Sequence, residues 1–177
     1  MELWYKEPAS YWEEALPLGN GRLGAMVWSG TAQEKISLNE DSLWSGYPQS
    51  HDISGAAEYY LQARRLSMEK KYEEAQALLE QNVRGEYTQS YLPLGELTLD
   101  MAHPEGEIQN YKRALELEKA LSRLEYSAGE INYTREMFIS APDQVMVMHI
   151  SADRPGMVSL KAGFSCQLRA KVSIEEN

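Results

Sequence analysis

The hydrophobic period of this chain changes twice along its length, and no other feature restricts its fold as much. From Leu92 onward apolar residues recur at every second position. Leu97, Leu99 and Met101 alternate with Glu96, Thr98 and Asp100, and Leu115 and Leu117 alternate with Glu116 and Glu118. Leu124, Tyr126, Ile131, Tyr133 and the run Val145-Met146-Val147-Met148 continue the series. A period of two places alternate side chains on opposite faces of an extended chain, which is the pattern of half-buried strands. Gly129, Pro142-Asp143 and Pro155-Gly156 cut the series into hairpin-sized units, the spacing of an antiparallel sandwich. Val158–Phe164 and Leu168–Ile174 read as two further strands.

Residues 1–50 hold shorter apolar runs punctuated by glycine: Leu16-Pro17-Leu18, Leu23–Trp28 and Ile36-Ser37-Leu38. These are strands and turns, with Asn20-Gly21 a tight-turn dipeptide because both residues tolerate positive φ. Residues 55–83 break the strand pattern with helical spacing. Ala56, Tyr60 and Ala63 share one face, and Met68, Tyr72, Ala75, Leu78, Leu79 and Val83 share a second, with Gly85 where a helix C-terminal glycine is expected. The fold class is therefore mainly β, an antiparallel β-sandwich with an inserted helical hairpin near residues 55–83. The last strand runs almost to Asn177 with no closing turn, which would leave an open sheet edge. The expectation is an incomplete sandwich belonging to a longer protein.

Charge narrows the function. There are 27 acidic against 17 basic side chains, a formal charge of -10, which argues against nucleic acid and anionic membrane as partners, since both select a cationic face. Four Trp and 11 Tyr are too many large side chains for a disordered chain. The N-terminal Met1–Glu7 has neither a basic nor an apolar region of the signal-peptide kind, and no apolar run is long enough to span a membrane, so the expected location is cytoplasmic. Cys166 is alone, which excludes an intramolecular disulfide. The acidic charge permits either a monomer or a homodimer.

Four constellations carry possible chemistry. Gly19-Asn20-Gly21-Arg22-Leu23-Gly24 spells G-x-G-x-x-G, with Asp41 placed like a ribose-binding acid, but a dinucleotide cradle needs a helix after the glycines. Here the strand-sized Ala25–Ser29 run follows, so the glycines read as a hairpin with closely packed backbones, and no cofactor is expected. Leu38–Gly46 gathers Asn39, Glu40, Asp41, Ser42 and Trp44 beside a turn. Carboxylates and amides that bond paired hydroxyls, next to an indole that can stack on a pyranose, are the groups of a sugar site. The same residues also suit a plain turn, with Asn39 or Asp41 bonding local backbone and Trp44 in the core. Adjacent carboxylates such as Glu40 and Asp41 point apart in extended chain and make a poor acid–base pair. His51, His103 and His149 lack the spacing of a metal or triad site, so no metal is expected. Asn132-Tyr133-Thr134 matches a glycosylation sequon but lies within a strand-like run.

Taken in order, these motifs resemble a known family. Trp12, Ala15–Met26 and Ile36–Gly46, then Tyr91–Leu97, Tyr111–Leu115, Tyr133–Glu136 and Pro142–Val145, are similar to the N-terminal region of the α-L-fucosidases of glycoside hydrolase family 95. The resemblance implies that residues 1–177 are the N-terminal β-sandwich domain, of super-sandwich type, of a larger glycoside hydrolase. It further implies a following (α/α)6 barrel, absent here, that hydrolyses terminal α-L-fucosyl or α-L-galactosyl linkages with inversion. The catalytic groups of the family lie in that barrel, so none maps onto this chain, which alone should be inactive. Its implied partners are its own C-terminal barrel and, through the parent enzyme, a fucosylated oligosaccharide. Asn20, Arg22, Asn39, Glu40, Asp41 and Trp44 are the candidates for contact with substrate or barrel, Arg22 as a bidentate partner for a carboxylate. The alternatives are a stand-alone carbohydrate-binding module or a structural or dimerisation sandwich.

Overall fold

A computed structural model describes residues 1–47, 50, 52–85 and 89–173. His51 and Ile174 lie outside the described residues. The chain divides into two compact units, Met1–Leu43 with Leu92–Asn177, and Trp44–Tyr91. Among the described residues the first holds ten strands: β1 Glu2–Tyr5, β2 Leu16–Gly19, β3 Leu23–Val27, β4 Gln33–Glu40, β5 Gly95–Met101, β6 Ile108–Glu116, β7 Leu121–Ala128, β8 Ile131–Ser140, β9 Val145–Ala152 and β10 Leu160–Ser165. They form two five-stranded antiparallel sheets, β1-β6-β7-β8-β9 and β10-β5-β4-β3-β2. The mainly β reading from the alternation is what the chain adopts.

Alternation sets which residues meet between the sheets. Leu16, Leu18, Ala25, Val27 and Ile36 from one sheet pack with Leu115 and Met137 from the other, and Leu38, Leu97, Ile139, Met146 and Met148 border them. Ile36 is fully enclosed. Toward the other end of the layer the filling turns aromatic: Leu124, Tyr126, Ala128, Ile131 and Tyr133, bordered by Tyr111 and Ala152. Leu117 is the exception to its predicted alternation. It lies past the end of β6 in the turn to β7 and is exposed, because Glu116 is the last residue paired.

Glycine is required where backbones converge. A Cβ on Gly30 would stand 1.9 Å from the Gln33 carbonyl oxygen, so any side chain there would force the β3–β4 turn open. In β6 a bulge between Gln109 and Lys112 puts Asn110 at φ 54, and its amide donates to the Ser127 hydroxyl at 3.1 Å. β10 pairs with β5 from Leu160 to Ser165, but Leu168–Ser173 form no strand, so the second of the two predicted terminal strands is absent among the described residues.

The second unit is the helical hairpin, α1 Ala56–Met68 and α2 Tyr72–Asn82. Helical spacing located both helices, and Ala63 and Ala75 are their buried positions. Met68 and Tyr72, placed by spacing on one helix face, end one helix and start the next and are exposed because they flank the connecting turn, where Lys70 takes φ 65. The amide of Lys71 closes that turn onto the Leu66 carbonyl at 2.9 Å, a Schellman-type cap with lysine in the glycine position. Gly85 does not cap α2: the helix ends at Asn82, and the Val83 and Arg84 amides bond the Leu79 carbonyl.

Candidate functional site

The β2–β3 turn and the end of β4 lie side by side because β3 pairs both strands, with Gly19 opposite Gly24 and Gly24 opposite Asn39. The G-x-G-x-x-G run is thus a hairpin. A Cβ on Gly19 would approach the Leu23 carbonyl oxygen to 3.3 Å, which accounts for glycine there. Gly21 takes φ 93, as predicted, but Asn20 is not among the positive-φ residues. Its role is a side-chain turn: Oδ1 accepts the Arg22 and Leu23 amides at 3.0 and 2.8 Å. Its Nδ2 donates to the Ser140 carbonyl at 2.8 Å, fastening the turn to the end of β8.

Arg22 and Ser42 then assemble around the Glu40 carboxylate. Arg22 Nε donates to Glu40 Oε1 at 2.9 Å. Ser42 donates to Glu40 Oε2 through its hydroxyl at 2.6 Å and its amide at 3.0 Å. The Asp41 amide donates to the Arg22 carbonyl at 3.0 Å, so the two segments are stitched through backbone as well. The Ser42 hydroxyl and the Arg22 guanidinium together hold the Glu40 carboxyl down at about 2. At neutral pH Glu40 is therefore an oriented anion that accepts hydrogen bonds and is unsuited to donating a proton. Arg22, the candidate partner for a carboxylate across an interface, already has its Nε on Glu40. Asp41 is exposed beside the pair, and Asn39 is half-buried on the opposite face of β4 from Glu40.

Trp44 belongs to the second unit and does not fill a core. It is 51% exposed, makes an isolated bridge with Tyr91, and meets that ring edge-on at 4.9 Å.

A second polar assembly was not among the predicted sites. Glu34 and Arg135 form an ion pair with the two side chains 0% and 2% exposed. Glu34 Oε1 accepts the Ser29 and Lys35 amides at 2.8 and 3.0 Å, and Arg135 Nη1 donates to the Gly30 carbonyl at 3.2 Å. Tyr111 donates its hydroxyl to the Ser29 carbonyl at 2.7 Å. The β3–β4 turn is thus pinned to β8 and β6. Burial pushes the Glu34 carboxyl up, against the pull of Arg135 and the two amides. Nearby, His103 Nε2 lies 2.7 Å from the Tyr126 hydroxyl, and the His103 ring is edge-on to Tyr126 and Tyr133. Burial and the charge of Arg135 hold that imidazole below its ordinary value. These residues organise the core. Glu34 and Arg135 were detectable in the sequence, since each falls in the apolar phase of its strand, Glu34 with Ile36 and Arg135 with Tyr133 and Met137.

Among the described residues no group of three or more His, Cys, Asp or Glu side chains is arranged to hold a metal ion. Asn132 of the sequon is engaged on both sides: Nδ2 donates to Asp153 at 2.7 Å and Oδ1 accepts the Ser127 hydroxyl at 2.7 Å.

Against known proteins, the family model described as glycosyl hydrolase family 65, N-terminal domain, matches residues 3–177. Alpha-L-fucosidase 2 of Arabidopsis thaliana is 36% identical over 170 residues, 95% of this chain and 20% of the relative. A probable alpha-fucosidase A of Aspergillus niger is 37% identical over 163 residues, 85% of this chain and 20% of the relative. Its counterpart in Aspergillus oryzae is 29% identical over 159 residues. The chain spans about a fifth of the length of these curated relatives.

Proposed function

The chain belongs to the glycosyl hydrolase family 65 N-terminal domain family, and on that footing we propose that it is the non-catalytic N-terminal sandwich of an α-L-fucosidase-like enzyme of glycoside hydrolase family 95. In this reading it packs on a C-terminal (α/α)6 barrel that hydrolyses terminal α-L-fucosyl or α-L-galactosyl linkages with inversion. The observation that carries the reading is the match along 95% of this chain to a protein named for fucosidase activity, of which the chain makes up only 20%. The state of Glu40 is in keeping with it: the best-organised carboxylate in the predicted segments is held ionised, as suits a binding group and not a general acid.

The segments 19–24 and 39–46 are the proposed contacts with the barrel or with the rim of its sugar pocket. Arg22 and Glu40 form a fixed cation and anion, Asn20 holds their turn, and Asn39, Asp41 and Trp44 are the polar and aromatic residues that accompany them in these segments.

The test has two arms. The purified chain, incubated with fucosyllactose, should release no fucose above the blank. In the full-length enzyme, Asn39→Ala and Trp44→Ala should each lower kcat/KM by about tenfold, the loss of roughly 1.4 kcal/mol of binding. Fucose release by the chain alone would place catalytic groups within it and overturn the reading. Unchanged kinetics together with unchanged thermal stability would remove these residues from any contact role.

A further inference from the structure

Cross-strand neighbours share a face of their sheet, and on the outer face of β1, β6 and β7 that rule builds a basin around one small residue. Ala114 lies opposite Trp4 of β1 on one side and Arg123 of β7 on the other. Being alanine, it leaves a depression among long neighbours. The depression encloses about 210 Å³ and is lined by Glu2, Lys112, Ala114, Glu116, Arg123 and Glu125. Ala114 is buried although it faces outward, so it forms the floor.

The walls are ordered by ion pairs. Lys112 Nζ lies 2.6 Å from Glu2 Oε1, and Arg123 reaches Glu125 at 2.8 Å and Glu136 at 3.3 Å. A carboxylate has about four lone-pair sites, the Lys112 ammonium three donors and the Arg123 guanidinium five, so these ion pairs leave capacity for a ligand. Trp4 stands on the same face as Glu2 and is 53% exposed, with the Lys6 ammonium 5.9 Å from its ring.

We propose that this basin is a binding site for a single pyranose unit of a glycan. Donors and acceptors of both signs line the basin over the small Ala114 floor, and Trp4 stands beside it as the cross-strand neighbour of Ala114; together they match a neutral polyhydroxyl ring with one apolar face. The wall holds three carboxylates and two cations, so an anion and a cation would each meet repulsion from part of it. The volume is smaller than the roughly 300 Å³ at which pockets for drug-sized ligands begin, which fits one sugar ring. The site is distinct from the 19–24 and 39–46 segments and would hold a glycan at the surface of the sandwich. The choice of a glycan as occupant rests on the family reading above.

The experiment is an amide-resolved NMR titration of the chain with fucosyllactose and, in parallel, with lactose. Saturable shifts are expected at Glu2, Trp4, Lys112, Arg123 and Glu125, including the Trp4 indole, with a dissociation constant on the order of millimolar. Saturation with either sugar at these residues supports the site. Trp4→Ala should weaken binding about tenfold through loss of the ring face, and Ala114→Leu, which fills the floor, should abolish it. Trp4 sits on an edge strand, so that variant keeps the test valid if Ala114→Leu fails to fold. Absence of saturable shifts at the basin, a footprint confined to other residues, or wild-type affinity in Trp4→Ala would overturn the proposal. Fucose release is read separately, so failure of this site and failure of the proposed function remain distinguishable.

Discussion

At the scale of single residues, the chain places its decisive charges where the strand pattern calls for apolar groups. Glu34 shares the phase of Ile36, and Arg135 that of Tyr133 and Met137, and both are buried. Two ions removed from water are tolerated because each is bonded to the other and to main chain. Removing one partner leaves the other buried and uncompensated, so Glu34→Gln and Arg135→Met should each cost about 3–5 kcal/mol. The double variant should cost less than the sum of the two, and urea unfolding of all four proteins measures the coupling. Additive costs would show that the pair is not coupled. The sequence announces this pair only to a reader who asks which charges fall in phase with the core. It announces the Arg22–Glu40 pair less readily, because those residues are 18 apart and meet only once β3 has paired with β4.

At the scale of elements, the helical hairpin is an insertion whose ends are already joined. The Leu92 amide donates to the Leu43 carbonyl at 2.9 Å, so the sandwich strands leave and re-enter the insertion through a closed neck. Replacing residues 44–91 by a short Gly/Ser turn should keep the strand signature and native amide dispersion of the sandwich. Because closure entropy changes by only ~0.6 kcal/mol per doubling of length, its stability should shift by about 1–2 kcal/mol. Circular dichroism and NMR of the shortened protein check this, and an unfolded product would mean that the sandwich depends on the insertion. Element types were legible from period alone, since burial on one face enforces it. Ends were not. Gly85 marked a helix terminus that Val83 supplies, and Leu168–Ser173 alternate like a strand yet find no partner among the described residues. Alternation reports which face a side chain prefers, whereas pairing depends on a neighbouring strand that local sequence does not encode.

At the scale of the whole molecule, acid is the condition that tests the fold. The folded state holds the Glu40 carboxyl at about 2, below its ordinary 4.5, so its stabilising contribution is complete at neutral pH and is lost as pH falls from 4.5 toward 2. His103 is held below its ordinary 6.5, so the unfolded chain takes up that proton first and stability declines as pH drops below 6.5. Thermal midpoints measured against pH should therefore fall in two steps. His103→Gln should flatten the upper step and Ser42→Ala the lower, whereas curves parallel to wild type would assign the acid sensitivity to other groups. Fold class and family were legible from the chain as a whole, because many short motifs in one order are more specific than any of them singly. The buried ion pair has a consequence in time as well as in energy. Its two members are 101 residues apart on strands of different sheets, so it cannot form before β4 and β8 have been brought together. Arg135→Met would then leave the folding rate nearly unchanged and speed unfolding, which makes this pair a determinant of how long the domain survives once folded.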